Sequence, residues 1–351
     1  MDRFSRIFWQ GCLGSSAVAF LALHLWWNHC KVGLPDRPPF PGVGDSYISE
    51  YNNLGSASHY LYQFGLFGMG DRIRQSDVLL LGSSHMEYGI SAAQLSAGLT
   101  RLANRPVNVY NLGLGYADSL VFDNPVLAQK GMSQKGIIVD LFVPYLDKPS
   151  SYALRVQRAS IPGAYYQVEE MWVTCIADWL LDPLLPRFAP ALPEAITAAT
   201  PAELSKSKSS IAPGRFLGLT VWRSWKTGDP IQMWDPKRGV IYQNPVPGTA
   251  QLYHETDDDQ GPNQGVALTA NEKNFLQDHG ISPVYTLIPW PSYEKAIVPA
   301  NAQPMVPIAP DGLLYFDPFH LTADGREIAT ERLLEGIQAQ GLISQLAKTQ
   351  P

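Results

Sequence analysis

Ser84, His320 and Asp317 are the residues of this 351-residue chain whose types and settings best suit covalent chemistry. Ser84 stands in Gly82-Ser83-Ser84-His85, directly after an apolar run. Asp317 and His320 share the segment Asp317-Pro318-Phe319-His320-Leu321-Thr322. A serine hydroxyl is a poor nucleophile until a base takes its proton, and an imidazole with an ordinary pKa of about 6.5 is suited to that task. A carboxylate three positions earlier can hold the ring in one tautomer and stabilise the imidazolium that forms. The oxyanion of a tetrahedral intermediate needs donors already in place, and the amides of Ser84 and of Gly113 or Gly115 are the expected source. Ser83 joins this group as an expected substrate contact. His85 is expected to tune the nucleophile, to contact an acyl donor, or to face away from the site. Together these residues are the inventory for acyl transfer through a serine.

Such residues act together only if strands and helices bring them to one edge of a sheet. The run 77–82 ends in glycine and reads as a buried parallel strand. Helical spacing over 90–102 leads to a second strand at 107–111. A helix around 118–131 then precedes a third strand at 136–142. Much later, a helix at 270–279 precedes a fourth strand at 283–288, and 322–340 predicts a final helix. Strands alternating with helices imply an α/β fold, a three-layer sandwich around a parallel central sheet, with ligands bound beyond the strand C-terminal ends. The alternation is lost between about 145 and 268, which reads as an insertion into a domain spanning 71–345. Inside it, 171–181 predicts a buried helix. The aromatic stretch 216–242, with Trp222, Trp225 and Trp234, is expected to build a small core of its own or to stack on sugar rings.

The N-terminus carries a different signal. Arg3 and Arg6 precede an uncharged apolar stretch, 7–27, of about the length a bilayer-spanning helix requires. Trp9, Trp26 and Trp27 flank it as interfacial aromatics do, and no small-residue cleavage pattern follows. Residues 1–30 are therefore expected to be an uncleaved membrane anchor, and 31–70 a Pro/Gly-rich spacer holding the catalytic domain outside the cytoplasmic membrane.

Composition narrows the function classes. At 45% hydrophobic residues the chain supports a large core, which excludes overall disorder. Lys+Arg 26 against Asp+Glu 32 gives a net charge of -6, which argues against nucleic acid as a partner. Cys12, Cys30 and Cys175 are too scattered for a disulfide framework or a zinc cluster. No metal-ligand spacing, phosphate loop or dinucleotide fingerprint is present, so no cofactor is expected. The acidic run from His254 to Asp259 reads as a solvated loop.

The order, spacing and type of these motifs resemble the SGNH (GDSL-like) hydrolase superfamily. There, a serine follows the first strand, a glycine the second and an asparagine the third, with Asp-x-x-His ahead of the last helix. The resemblance covers about 76–142 and 270–340, and it makes Ser84 the nucleophile, with Ser83 in the place of the family's Asp. Gly113 or Gly115 matches the oxyanion glycine. After the third strand, however, the chain reads Val139-Asp140-Leu141-Phe142 where the family has Gly-x-Asn-Asp, so that the oxyanion asparagine is missing. With Gly-Ser-Ser and an N-terminal anchor, the pattern is similar to the branch that assists O-acylation of cell-surface polymers, such as teichoic acid, alginate and cellulose. The resemblance implies a periplasmic or extracellular acyltransferase or esterase, a glycan acceptor, and a membrane-bound O-acyltransferase as partner. A simple acetyl esterase and a non-catalytic scaffold for glycan or acyltransferase are the alternatives. A literal Gly44-Asp45-Ser46 also occurs, but no apolar strand leads into it, and its hydroxyl is expected on the spacer.

Overall fold

The structure is a computed structural model that describes residues 45–51, 56–115, 125–129, 131–141, 151–181, 219–235, 239–244, 270–291 and 302–347. Apart from 176–181, these belong to one unit formed by Phe40–Cys175 and Leu217–Pro351. Its centre is a five-stranded parallel sheet built from β2 (Val78–Leu81), β3 (Val109–Asn111), β4 (Gly136–Asp140), β8 (Val284–Leu287) and β9 (Met305–Pro307), in the order β3-β2-β4-β8-β9. Four of these are the strands the sequence predicts, with ends trimmed by one to two residues. The order is doubly wound and flavodoxin-like, and its topological switch point lies between β2 and β4, at the strand that leads to Ser84.

Parallel strands need crossovers, and these supply the layer over one face of the sheet. Helices α3 (Ser84–Gly89) and α4 (Ala92–Ala103) link β2 to β3, α7 (Ala270–Asp278) precedes β8, and α8 (Ala323–Ala339) follows β9 and packs on α4. Val78 and Leu80 of β2, Ile138 of β4, Val284 of β8 and Val306 of β9 meet Leu95 and Leu99 of α4 and Ala329, Leu333 and Ile337 of α8 in one buried cluster. Leu79, Leu81, Ile137 and Val139 point the other way, as strand alternation requires, and are equally buried. A sheet hidden on both faces explains why β2 reads as a continuous apolar run.

A second sheet is antiparallel, in the order β1-β5-β6-β7, from β1 (Ser46–Tyr51), β5 (Thr220–Ser224), β6 (Pro230–Asp235) and β7 (Gly239–Gln243). It corrects the expected spacer. Within 31–70, the part from residue 45 onward holds β1 and then α1 (Ala57–Phe64) and the first two residues of α2 (Met69–Gln75). Tyr47, Ile48 and Tyr51 are buried, and the strand's partner β5 lies far along the chain, so local reading could not find the pairing. The insertion is organised too: it holds α5 (Ser151–Arg158), α6 (Ile161–Leu181) and the three strands that adopt β1. Trp222 and Trp234 are buried, so these aromatics build the core of this sheet. Ser46 stands at the start of β1 opposite Ser224, in a strand rather than on a spacer, and in the sheet that does not carry Ser84.

The expected anchor at 1–30, the spacer as far as residue 44, most of the predicted helix around 118–131 and the acidic run at 254–259 lie outside the described residues. Among the described residues no helix is long and apolar enough to cross a membrane.

Candidate active site

Ser84 is aimed by the turn that joins β2 to α3. Gly82 has φ +157°, and a Cβ there would stand 2.7 Å from the Met86 Cβ, so only glycine permits the step from strand to helix. Ser83 then caps α3, its hydroxyl accepting the His85 N–H at 3.2 Å. Ser84 becomes the first residue of the helix. Pairing of β2 with β3 continues past both strands: Leu114 N–H donates to the Gly82 carbonyl at 3.0 Å and Leu114 bridges Ser83. That register brings Leu114 against Ser83, and Gly115 follows it in the chain.

His320 and Asp317 occupy a tight loop ahead of α8. Tyr315 and Leu321 form a bridge, and Phe316 N–H donates to the His320 carbonyl at 3.0 Å. Asp317 Oδ1 accepts the N–H groups of Phe319 and His320, each at 2.8 Å. Its other oxygen, Oδ2, lies 2.6 Å from His320 Nδ1. On the far side of the ring, His320 Nε2 lies 2.7 Å from Ser84 Oγ. The imidazole stacks on Phe316 at 5.6 Å and takes the edge of Tyr88 at 5.3 Å. Burial opposes ionisation of Asp317, but the hydrogen bond and charge of His320 and the two backbone donors outweigh it and hold the carboxyl below its ordinary value. The ring nitrogen facing Asp317 is thereby fixed as N–H, and Nε2 is free to accept the serine proton. The arrangement can make a serine hydroxyl nucleophilic and return its proton to a leaving group.

The other expected contacts sit elsewhere in the structure. Gly113 does not offer its amide to a substrate: the N–H donates to Asn111 Oδ1 at 2.8 Å, and its carbonyl accepts from Arg223 at 2.6 Å. Its lack of a side chain serves packing, since a Cβ there would stand 2.5 Å from the Glu87 nitrogen of α3. Ser83 is 2% exposed and acts as a helix cap rather than a substrate contact. His85, 1% exposed, faces away from Ser84; its Nδ1 lies 3.0 Å from Asp140 Oδ2 and its ring meets the edge of Trp290. Asp140 thus stands at the end of β4 where the resemblance places an asparagine, but it ties α3 to the sheet. Among the described residues no group of ligating side chains could hold a metal ion.

Several residues around the site went unnoticed in the sequence. Asn111, fully buried, spans from Gly113 to the α3 carbonyls, with Nδ2 3.1 Å from the Ile90 oxygen. Arg223 of β5 donates to the carbonyls of Asn111, Gly113 and Gly228 and lies 3.3 Å from Glu87 Oε1, both side chains being almost completely buried. Glu50 of β1 reaches Gly115. Phe316 and Glu87 carry a local signal, one helical or loop turn from His320 and from Ser84. Arg223 and Glu50 carry none, because only the second sheet brings them here. A cleft of about 1130 Å³ lies apart from the triad, lined by Arg72, Ser91, Gln94, Lys226, Asp229 and Arg326 among others.

Comparison of the chain with protein-family models, with curated proteins and with solved structures found no match in any of the three. The chemistry open to it rests on the arrangement of Ser84, His320 and Asp317.

Proposed function

We propose that this protein is a serine acyltransferase or esterase of the SGNH type, acting on O-acyl groups of an extracytoplasmic polysaccharide and tethered to the membrane by its N-terminal segment. The observation that carries the chemistry is the chain of two short contacts, Asp317 Oδ2 to His320 Nδ1 at 2.6 Å and His320 Nε2 to Ser84 Oγ at 2.7 Å. The site lies at the C-terminal end of β2 beside the switch point of a doubly wound sheet, where such folds bind ligands. The carbohydrate substrate, the anchor and a membrane-bound O-acyltransferase partner rest on the sequence resemblance.

In this reading, Ser84 Oγ attacks the carbonyl carbon of a bound acyl ester while His320 Nε2 takes the hydroxyl proton. The carbonyl electrons move to the oxygen, which the amides of Ser84 and Gly115 receive. Collapse expels the first alcohol, which leaves with the proton from His320, and Ser84 holds the acyl group as an ester. An incoming hydroxyl, of a sugar or of water, then gives its proton to His320, attacks the acyl carbon and releases Ser84 with its proton restored.

A fluorophosphonate probe tests the reading. Covalent labelling is expected for the wild-type chain and lost in Ser84→Ala, strongly slowed in His320→Ala, and unchanged in Ser46→Ala. Labelling that persists in Ser84→Ala would overturn it. Incubation with a soluble acetyl ester and an oligosaccharide then separates transfer to sugar from transfer to water.

A further inference from the structure

Glu50 is carried to the site by an irregularity in β1. Tyr47 pairs with Arg223, Ile48 with Trp222, and then Glu50, not Ser49, with Val221. In a regular strand, residues three apart point to opposite faces. The extra residue breaks that rule and puts Glu50 on the face shared by Tyr47, Val221 and Arg223. This is the face whose Arg223 donates to the carbonyls of Asn111 and Gly113 at the end of β3. Glu50 Oε1 occupies the space that a side chain at Gly115 would fill, 2.6 Å from where its Cβ would stand. Gly115 in turn follows Leu114, which bridges Ser83, the residue before the nucleophile. A carboxyl thus lies against the glycine next to that bridge, while the end of β4 brings Asp140, engaged with His85, where the resemblance places an amide donor.

We propose that Glu50, in its protonated form, is the third donor to the oxyanion formed at Ser84, replacing the amide side chain that β4 does not supply. The proposal rests on the acyl-transfer reading of Ser84. An ionised carboxylate would repel an oxyanion, so the role requires that Glu50 keep its proton at neutral pH. Its surroundings do that. Burial first, and the nearby negative charge of Glu87 second, push its pKa up to about 8, against a smaller opposing effect of Arg223. The other groups on these elements do not reverse this: His59 of α1 is held neutral, and Tyr47 and Tyr88 are raised above their ordinary values. Glu87 is itself pushed upward by burial, and Arg223 is directed at Glu87 and at three backbone carbonyls. Glycine at 115 is needed for the close approach, since any side chain would displace the carboxyl.

The test compares the rate of fluorophosphonate labelling in the full-length wild type, Glu50→Gln and Glu50→Ala across the neutral-to-alkaline range, with thermal melts recorded for each. For the wild type, labelling is expected to fall off as pH rises through about 8, where Glu50 loses its proton. Glu50→Gln keeps a donor that does not titrate, so its alkaline decline should vanish. Glu50→Ala should label about 10²-fold more slowly at neutral pH, the loss typical of one oxyanion donor. If Glu50→Ala fails to fold, the Glu50→Gln profile still decides. An alkaline decline that survives in Glu50→Gln, or a rate for folded Glu50→Ala within a few-fold of wild type, would overturn the assignment of Glu50 while leaving Ser84 as nucleophile. A wild type that takes no label at all overturns instead the acyl-transfer reading on which it stands.

Discussion

The imidazole Nε2 of His320 lies 2.7 Å from the hydroxyl of Ser84, although 236 residues separate the two in the chain. The contact joins the start of the first crossover to the loop before α8. Each end is fixed by its own local device: the Ser83 cap and Gly82 turn at one, the Asp317 loop at the other.

Asp317→Asn leaves a carbonyl oxygen for the two loop N–H groups but presents an amide to the ring. Asn can keep the loop and yet reverse the His320 tautomer. Labelling of Ser84 should fall by about 10³- to 10⁴-fold with little change in thermal stability. Because the folded carboxyl is held below its ordinary value of about 3.9, its hold on His320 is complete above that pH and is lost only as pH falls through the lower folded value. The rate of labelling between mildly acidic and neutral pH should therefore show no step from Asp317.

Gly113→Ala is expected to harm the protein through packing. Its Cβ would stand 2.5 Å from the backbone nitrogen of Glu87, and a backbone atom in a helix cannot swing aside as a side chain can. A loss of about 1–3 kcal/mol in a denaturant melt is expected, as for other overpacked positions, together with slower labelling because α3 carries Ser84. An unchanged melt would show that α3 is not pressed against the end of β3.

Arg223 and Glu87 form a buried pair, so removing one charge should cost more than removing both. Arg223→Met strands the Glu87 carboxyl and leaves the carbonyls of Asn111 and Gly113 without their donor. Breaking a buried pair in this way typically costs about 3–5 kcal/mol. Adding Glu87→Gln should recover part of that loss in the same melt, and a double variant no better than Arg223→Met would place the damage in the carbonyls alone.

Two groups near Gly115 give the stability a defined pH dependence. Burial first lowers His59 to about 3, so the unfolded chain takes a proton near the ordinary value of about 6.5 that the folded chain refuses. That contribution is complete above about 6.5 and is lost as pH falls toward 3. Glu50, raised by burial to about 8, behaves oppositely: the folded chain holds a proton that the unfolded chain releases near its ordinary carboxyl value, so stability is lost as pH rises toward 8. Melting temperature should thus fall on both sides of mildly acidic pH, and Glu50→Gln should flatten the alkaline side only. An alkaline slope that persists in that variant would show that another group carries it.

Short-range pattern along the chain encodes the strands and the order of the triad. Buried parallel strands announce themselves as apolar runs, which is why β2, β3, β4 and β8 were legible to within a residue or two at most ends. Asp317 and His320 lie three residues apart on one loop, and Ser84 follows a strand, so their types and order were visible as well. The remainder is set only in the folded chain, because antiparallel pairing and buried hydrogen bonding join segments whose separation leaves no local periodicity. Folding recruited β1 from an expected spacer into the sheet of the insertion, and through a single extra residue turned Glu50 toward Gly115. The donor capacity of Gly113 was spent on Asn111, and His85 was turned toward Asp140, choices that depend on which acceptor lies nearest once the sheets are in place.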